Sequence, residues 1–381
     1  MSGNGASPAR LTTALPAWAA RESKPDARRF VIGVLPGEGV GPEVVAAATD
    51  VLRAVAARWN LEFDIRTGGE IGTAAEKAHG RALTPLVAEF CAGIFAEGGA
   101  ILCGPGGGRF VYDLRARFDL FCKFTPVRPL PALHDAGVLR PEAVADADLV
   151  VVRENASGLY FGAGHHTPGG VSHTFHYHRE EVRRIIAVAI RLAQQRRCKL
   201  ALVVKLAAVR EVSELWRGVF DELTCGQALD LCCLEVDNAS YQIIANARGF
   251  DVIVAPNLFG DILSDGAALL LGSRGLSYSG NFGAPGFAVY QTGHGAAQDL
   301  AGQDRANPIG QILSAAFLLR ESFGLDEQAA AIENAVAETL AVGVRTADIA
   351  MAGIAPVSTR EMGCAIAAAL ARATDAAAFF P

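Results

Sequence analysis

The chain has 381 residues, of which 51% are hydrophobic and 19% are charged, and its formal net charge is −6. This length suits two domains or one large α/β unit whose core needs no disulfide or structural metal. The mildly acidic balance argues against a protein that mainly binds nucleic acid or an anionic membrane surface. Uncharged apolar runs are all shorter than the roughly 18 residues that a membrane-spanning helix needs.

The cysteines and the first residues indicate the compartment. The eight cysteines show no CxxC spacing, and most lie in apolar surroundings. This usage is typical of reduced core thiols and predicts a cytoplasmic protein. Residues 1–28 are rich in Ala, Gly, Ser, Pro and Arg and lack the apolar core of a signal peptide. We interpret them as a flexible leader, with an organelle transit peptide as the alternative.

From residue 29 onward, short apolar runs alternate with helical stretches. The β-branched run at 30–35 predicts a buried parallel strand, and a turn rich in Gly and Pro separates it from an Ala-rich helix at 44–57. Further strands are predicted at 99–103, 147–152, 199–204 and 251–255, and further helices at 86–97, 179–196, 212–223, 227–233, 239–247, 310–323, 327–342 and 359–374. This alternation predicts an α/β fold with a largely parallel sheet.

The glycine-rich turn after the first strand could suggest a dinucleotide-binding fingerprint. Its sequence, GEGVG at 37–41, is followed by Pro42 and does not match the spacing G-x-G-x-x-G. An acidic residue closing a second strand at the expected distance is also missing. A Rossmann site is therefore disfavoured.

A second unusual segment lies at 162–178, where four glycines and five of the eight histidines occur. It predicts a protruding loop or a two-stranded hairpin. His176 and His178 would share one face of a strand, as metal ligands sometimes do. The segment contains no acidic residue or cysteine, which favours the alternative that its histidines and aromatic residues form a subunit contact.

Three acidic residues predict a metal site. Asp261 and Asp265 are four residues apart, hence on one helix face, and they follow the strand at 251–255. Open α/β sheets bind ligands at this carboxyl end. Asp237 follows another apolar stretch, and three converging carboxylates would suit the oxygen coordination of Mg²⁺ or Mn²⁺. A solvated helix face is the alternative for the pair on the helix.

Five segments together resemble the β-decarboxylating dehydrogenase family, which includes isopropylmalate, isocitrate, homoisocitrate and tartrate dehydrogenases. They are LPGEGVGPE at 35–43, RENASGLYFG at 153–162, EVSELW at 211–216, DVIVAPNLFGDILSD at 251–265 and HGAAQDLAGQDRANP at 294–308. The resemblance implies an isopropylmalate dehydrogenase-like two-domain fold, not a Rossmann fold. Residues 29–120 and 272–375 would form a large cofactor-binding domain. Residues 121–271 would form a smaller dimerisation and metal domain with a hairpin arm at about 160–180.

The resemblance also implies roles for the site residues. Asp237, Asp261 and Asp265 would bind Mg²⁺ or Mn²⁺, with Asp237 offered across the interface of a homodimer that shares its active sites. Arg115 and Arg153 match arginines that grip a substrate carboxylate, a task that guanidinium groups suit. The remaining matches are the tyrosine that protonates the enol after decarboxylation, Tyr160, and the cofactor-binding residues Asn257, His294, Gly295, Asp299 and Asn307.

The implied cofactor is NAD. The carboxylate of Asp299 can accept hydrogen bonds from both hydroxyls of the adenosine ribose. It would also repel the 2′-phosphate of NADP, so NAD is favoured over NADP.

The chain departs from the family at its catalytic lysine. An ungapped count back from 211–216 puts Leu206 at the lysine position and Ala208 at the position of an asparagine that follows it. Lys205 stands one residue early, and such a slip beside a strand turns a side chain the other way. Either the loop shifts so that Lys205 serves in catalysis, or the usual base is lost.

Further departures lie in the substrate-binding residues. Thr125 stands where the family has another substrate arginine, a change that removes about 1.5–3 kcal/mol of carboxylate binding unless Lys123 or Arg117 compensates. Val111 and Tyr112 stand where isopropylmalate enzymes keep leucines that sense the 3-substituent. Gln291 also replaces an expected glutamate.

The sequence thus predicts an NAD- and metal-dependent oxidoreductase acting on a small carboxylic acid. It would oxidise, with decarboxylation, a substituted malate-type 2-hydroxy acid other than plain isopropylmalate or isocitrate. Two alternatives remain open. One is a catalytically divergent or regulatory family member that assembles with an active partner, and the other is a metal-dependent lyase that transfers no hydride.

Overall fold

The computed structural model describes residues 28–284, 286–350 and 353–372. Residues 1–27 of the predicted leader lie outside this range, as do the last residues of the predicted large domain, 373–375. No helix within the described ranges combines the length and the apolar character needed to cross a bilayer.

The described residues form twelve strands and twelve α-helices. The strands are β1 (Arg29–Leu35), β2 (Glu62–Thr67), β3 (Ala100–Cys103), β4 (Cys122–Val127), β5 (Leu149–Glu154), β6 (Ala163–Thr167), β7 (Gly170–Thr174), β8 (Lys199–Val204), β9 (Asp230–Glu235), β10 (Val252–Ala255), β11 (Tyr278–Phe282) and β12 (Ala288–Thr292). The helices are α1 (Gly41–Trp59), α2 (Gly72–His79), α3 (Pro85–Ala96), α4 (Phe110–Phe118), α5 (Pro141–Val144), α6 (Arg179–Gln195), α7 (Arg210–Thr224), α8 (Val236–Ala245), α9 (Asn257–Ala267), α10 (Ile309–Phe323), α11 (Asp326–Ala341) and α12 (Thr359–Arg372).

Ten strands form one sheet in the order β2-β1-β3-β12-β11-β4-β5-β10-β8-β9. The block β2-β1-β3-β12 is parallel, and so is the block β5-β10-β8-β9. The strands β11 and β4 join the two blocks through antiparallel pairs. The predicted α/β fold with a largely parallel sheet is therefore confirmed.

Apolar side chains on both faces of the strands explain this architecture. Every residue of β5 and β10 is buried, as expected for strands that are covered by helices on both faces. Nearly all of α10 is buried as well, because it packs against α1, α11 and the strands β11 and β12. The core thus supports the ends of the strands, where the candidate site lies.

The prediction of a helix at 227–233 is wrong. Residues 230–235 form β9, which pairs in parallel with β8 at the edge of the sheet. Periodicity alone does not distinguish strand from helix in so short an apolar run, and pairing with β8 decides the outcome. The strands β2, β4, β11 and β12 were not predicted from the sequence.

The segment rich in Gly and His forms an exposed two-stranded antiparallel hairpin, β6 and β7. The rings of His176 and His178 lie 4.8 Å apart after the hairpin. The backbone N–H of His178 donates to the Glu181 carboxylate in the first turn of α6. Among the described residues, no group of three or more His, Cys, Asp or Glu is arranged to hold a metal.

Candidate active site

The centre of the site is the face of α9 that bears Asn257, Asp261 and Asp265. Arg153, at the end of the neighbouring strand β5, donates from Nε and Nη2 to Asn257 Oδ1 at 3.0 and 2.7 Å. Its Nη1 donates to Asp261 Oδ1, and the Tyr160 hydroxyl donates to Asp261 Oδ2 at 2.8 Å. The structure thus brings a predicted substrate-binding arginine and the predicted catalytic tyrosine to one predicted metal ligand.

A glycine allows α9 to lie this close to β5. A Cβ atom on Gly260 would stand 2.8 Å from the Cβ of Arg153, closer than packed atoms allow. A side chain at position 260 would therefore push α9 away from Arg153. The glycine of the NLFGD motif has a direct steric function.

The charges around Asp261 favour its ionised form. Burial raises the pKa of Asp261, but Arg153, the Tyr160 hydroxyl, Lys123 and Arg115 together lower it below its usual value. Burial, followed by the hydrogen bond and the charge of Asp261, raises the pKa of Tyr160. At neutral pH the site therefore contains a carboxylate beside a protonated phenol.

Two further buried cations lie near Arg153. Burial, then the charge of Arg153, lowers the pKa of Arg115 to about 9. Burial, then the charges of Arg153 and Arg115, lowers the pKa of Lys123 to about 7, against the opposing effect of Asp261 and Asp265. In the described part of the chain, no hydrogen bond or ion pair joins Lys123 or Arg115 to an acceptor. These three cations form a region suited to an anionic ligand.

Aromatic side chains line the same region. The Tyr112 ring meets the Tyr160 ring edge-on at 5.5 Å and the Phe161 ring at 6.3 Å. Arg115 Cζ lies 5.6 Å from the centre of the Tyr112 ring, and Arg153 Cζ lies 5.5 Å from that of Tyr160. The ring of Tyr112 thus contacts Arg115 without using its hydrogen-bond donors, whereas Arg153 also donates to Asn257 and Asp261.

The residues that differ from the family pattern occupy three places. Thr125 is buried on β4, and its Oγ1 has no hydrogen-bond partner among the described residues. Val111 is half-buried in the first turn of α4, and Gln291 is half-buried on β12. Arg117 is exposed on α4, so it does not compensate for Thr125 within this arrangement.

Lys205 follows the last residue of β8 and lies beside the third predicted metal ligand. Its Nζ is 2.8 Å from Asp237 Oδ1 and 3.3 Å from Glu235 Oε2. The hydrogen bond to Asp237 is the main cause that raises the pKa of Lys205. Leu206, the next residue, packs against the hydrophobic core, and Ala208 is exposed in the following turn.

One chain does not bring Asp237 together with Asp261 and Asp265. Asp237 lies in α8, which follows β9, whereas α9 follows β10, and β8 separates these two strands. The two helices therefore start about 10 Å apart across the sheet. The two carboxylates of α9 offer the oxygen ligands that Mg²⁺ and Mn²⁺ prefer. A third carboxylate ligand would have to come from a residue other than Asp261 and Asp265.

The predicted cofactor residues lie around a cavity of about 220 Å³ that includes His294, Gly295 and Asn307 in its lining. His294 Nε2 is buried and has no hydrogen-bond partner in the described ranges. Burial lowers the pKa of His294, so its ring is neutral at pH 7. A cavity with an unsatisfied ring nitrogen fits the adenine part of a dinucleotide, and Asp299 is exposed near it.

Asn257 lies apart from this cavity. Its side chain accepts from Arg153 and donates to Ser157 O at 2.9 Å, so it orients the predicted substrate arginine. Its role as a cofactor-binding residue stays a prediction.

Two connections in the site were missed by sequence reasoning. Val40 N donates to Ala296 O at 2.9 Å, so the glycine-rich turn packs on the loop that bears His294. Arg274 donates to Asp265 Oδ2 at 2.9 Å and to Gly293 O at 3.3 Å, which links α9 to that loop. An isolated arginine such as Arg274 gives no local sequence signal for this role.

Comparisons with known proteins agree with the geometry. A family model described as isocitrate/isopropylmalate dehydrogenase matches residues 31–366. The 3-isopropylmalate dehydrogenase of Gloeobacter violaceus is 40% identical over 91% of this chain and 99% of its own length. That of Synechococcus sp. (strain JA-3-3Ab) is 43% identical over 91% and 94%. The crystal structure of isocitrate dehydrogenase from Methylococcus capsulatus aligns with a TM-score of 0.81 at 30% identity, over 90% of this chain and 100% of that one.

Proposed function

The chain belongs to the isocitrate/isopropylmalate dehydrogenase family, and we propose that its substrate is a malate-type 2-hydroxy acid other than isopropylmalate or isocitrate. The family consists of decarboxylating dehydrogenases that use NAD and Mg²⁺ or Mn²⁺ and act on small carboxylic acids. The observation that carries the proposal is the group of buried cations Arg115, Lys123 and Arg153 beside Asp261 and Tyr160. This group provides charge for a carboxylate next to a metal ligand and a proton donor.

The reaction follows from these positions. Arg115 and Arg153 bind a carboxylate of the acid, and the bond from Arg153 to Asn257 fixes its orientation. When bound, NAD⁺ would supply the hydride acceptor for C2, and solvent water would take the hydroxyl proton. The β-carboxylate of the resulting β-keto acid would then leave as CO₂. Tyr160, which is protonated at neutral pH, donates a proton to the resulting enol.

The metal would be held by Asp261 and Asp265, with Asp237 supplied by a second copy of the chain. When bound, it supplies the Lewis acidity that lowers the pKa of the hydroxyl and stabilises the charge that develops on decarboxylation. In the single chain, Arg153 and Arg274 interact with the two α9 carboxylates. Burial raises the pKa of Asp261, and Arg153 is the main group that lowers it and so favours the ionised form.

Dimerisation explains the position of Lys205 and Asp237. They form one ion pair away from the α9 acids, so a homodimer can offer them together to the site of the other copy. Exposed apolar side chains on the packed helices α8 and α9, Tyr241 and Ile262, fit such an interface. The proposed division places 29–120 and 272–375 in the cofactor domain and 121–271 in the dimerisation domain, and we propose a cytoplasmic location.

The substrate preference follows from the altered residues. An aliphatic 3-substituent would meet the phenol ring of Tyr112, which packs on Tyr160 and lies between Arg109 and Arg115. Lys123 and Thr125 place an ammonium and a hydroxyl on one face of β4, where the family has an arginine at position 125. These features favour an acid with a small or polar substituent.

The test is NADH formation with a panel of malate, 3-methylmalate, tartrate, isopropylmalate and isocitrate at saturating Mn²⁺. We expect the largest kcat/KM for an acid other than the last two, and loss of activity with a chelator. Asp261→Asn should abolish turnover, whereas Asp50→Asn, on the exposed face of α1, should not change it. A largest kcat/KM for isopropylmalate or isocitrate would refute the substrate assignment.

One observation favours the alternative of a regulatory family member. Lys205 is engaged with two acids, and the usual lysine and asparagine positions hold Leu206 and Ala208. A regulatory chain should co-purify with a second homologous subunit and lack activity alone. NADH formation by the pure homo-oligomer would dismiss this alternative, and CO₂ release without NADH would indicate a lyase.

A further inference from the structure

We propose that Lys123 and the Thr125 hydroxyl form an anion receptor in place of the missing substrate arginine, and that Lys123 takes up a proton as a substrate carboxylate binds. The inference rests on the proposed function, since it concerns how the same site holds its acid. It goes further by assigning the charge that the site acquires on binding.

The sheet register places beside Lys123 two side chains that do not accept a hydrogen bond from its ammonium. Arg153 on β5 and Asn281 on β11 are its direct cross-strand neighbours. The side chain of Asn281 is already engaged, because it accepts from Asn155 at 3.0 Å and donates to Val289 O at 3.1 Å. Lys123 is only 9% exposed, and no group in the described ranges accepts a hydrogen bond from its ammonium.

Thr125 provides a second, independent observation. It lies two residues further along β4, hence on the same face as Lys123. It is 4% exposed, and its Oγ1 lacks a hydrogen-bond partner in the described part of the chain. An ammonium and a hydroxyl on one strand face can both donate to a single carboxylate. A buried hydroxyl without a partner, on the same strand face as an ammonium that makes no ion pair among the described residues, is what a site for a bound anion requires.

The surrounding charges make the protonation of Lys123 depend on whether an anionic ligand is bound. Burial and the charges of Arg153 and Arg115 disfavour the ammonium of Lys123 and outweigh Asp261 and Asp265, so its pKa is about 7. An entering carboxylate supplies the missing negative charge and favours the ammonium. Above neutral pH, binding therefore draws one proton from the solvent to Lys123.

The other titratable groups of the site do not give the same signal. The pKa of Asp261 is lowered, and that of Tyr160 is raised, so both keep their protonation state near neutral pH. Lys205 has a raised pKa and stays charged. Arg115, with a pKa of about 9, is still mostly charged at pH 8. Proton uptake near pH 8 therefore reports mainly on Lys123, whose pKa is about 7.

The experiment is calorimetric titration of the full-length, metal-free protein with malate, without NAD⁺, at about pH 8 in HEPES and in Tris. These buffers release different heats on giving up a proton, so the difference in binding enthalpy counts protons. We expect uptake approaching one proton per site. The apparent Kd should rise about tenfold per pH unit above the pKa, because only the protonated fraction binds.

Two variants separate charge from protonation. Lys123→Arg has a guanidinium that is always charged, so it should bind malate without proton uptake and with a flat pH profile. Lys123→Met should weaken binding by at least tenfold. If Lys123→Arg does not fold, the double variant K123M/T125R returns a fixed charge to the family position and should also bind without uptake.

The outcomes distinguish this inference from the proposed function. Malate binding by wild type without proton uptake, uptake that persists in Lys123→Arg, or no malate binding at all would overturn the inference. The dehydrogenase function is judged separately, by NADH formation with the panel of acids. Turnover without proton uptake would refute only the receptor, and uptake without turnover only the dehydrogenase.

Discussion

The contact between the glycine-rich turn and the cofactor loop predicts a strong effect of Gly39→Ala. Gly39 has a left-handed backbone with φ of 58°, and a Cβ atom there would lie 1.8 Å from Ala296 O. Real Cβ atoms essentially never approach other atoms within 3.0 Å, so the two loops would have to separate by more than 1 Å. The predicted result is a displaced loop beside His294 and weaker binding of NAD⁺ and NADH.

The magnitude has two parts. A left-handed backbone costs an alanine about 1–2 kcal/mol wherever it occurs. The separation also weakens the bond from Val40 N to Ala296 O, which is worth about 0.5–1.5 kcal/mol. If the free energy of nucleotide binding becomes weaker by the worth of this hydrogen bond, the Kd for NAD⁺ or NADH rises roughly 2- to 10-fold.

Gly80→Ala is the matched control. Gly80 has a similar φ of 77° at the end of α2, but a Cβ there meets nothing within 4 Å. NADH binding by fluorescence titration and the free energy of unfolding should be measured for both variants. Gly39→Ala should be less stable than Gly80→Ala by about 1 kcal/mol and should bind NADH more weakly. Equal stability and equal NADH affinity of the two variants would refute the reasoning.

Three further predictions concern stability, cofactor choice and pH. Arg196 is 1% exposed and pairs with the fully buried Asp251, so Arg196→Met should lower the free energy of unfolding by about 3–5 kcal/mol in denaturant titrations. The exposed pair of Arg217 makes Arg217→Met a control with a change within about 0.5 kcal/mol, and a loss below about 1 kcal/mol for Arg196→Met would contradict the prediction. Asp299→Ser should reduce the ratio of kcat/KM for NAD⁺ over NADP⁺ by at least tenfold, and an unchanged ratio would exclude a role for this carboxylate. The folded-state pKa of Lys123, about 7, is below its usual 10.5, so the unfolded chain binds more protons between these values. Without ligand, wild type should therefore gain about 1.4 kcal/mol of stability per pH unit relative to Lys123→Met between about pH 7 and 9, and a constant difference would contradict the shift.

The part of the site on α9 could be predicted because its signal is local. The spacing of Asp261 and Asp265 fixes their common helix face, and the preceding apolar run fixes the end of β10. Arg153 lies at the corresponding end of β5, the next strand in the sheet, so parallel pairing brings it to α9. Local periodicity and the rule for strand ends in open sheets were enough to predict the two carboxylates, whereas Arg153 was assigned through the family resemblance.

The position of Lys205 could not be predicted, because it depends on where β8 ends. The strand ends at Val204, whose partner in β9 is Glu235, so the next side chain emerges beside Glu235 and Asp237. Leu206 then packs on the core. The ungapped count correctly raised the question of register, but β9 itself was mistaken for a helix. Without β9, the partner of Lys205 could not be identified.

Lys123 depends on contacts that are even more distant in the sequence. The environment of its ammonium is set by Arg153 and Asn281. These residues lie beside Lys123 only because antiparallel strands join the two parallel blocks of the sheet. Compared with an arginine at position 125, a lysine at 123 moves the attachment point of the charge by about 7 Å along β4. The carboxylate must then be held nearer to Arg153, or the lysine must extend along the strand toward Thr125. Either arrangement shifts the acid relative to Tyr112. Thr125 on β4 and Tyr112 on α4, which both differ from the family pattern, therefore affect the same substrate preference.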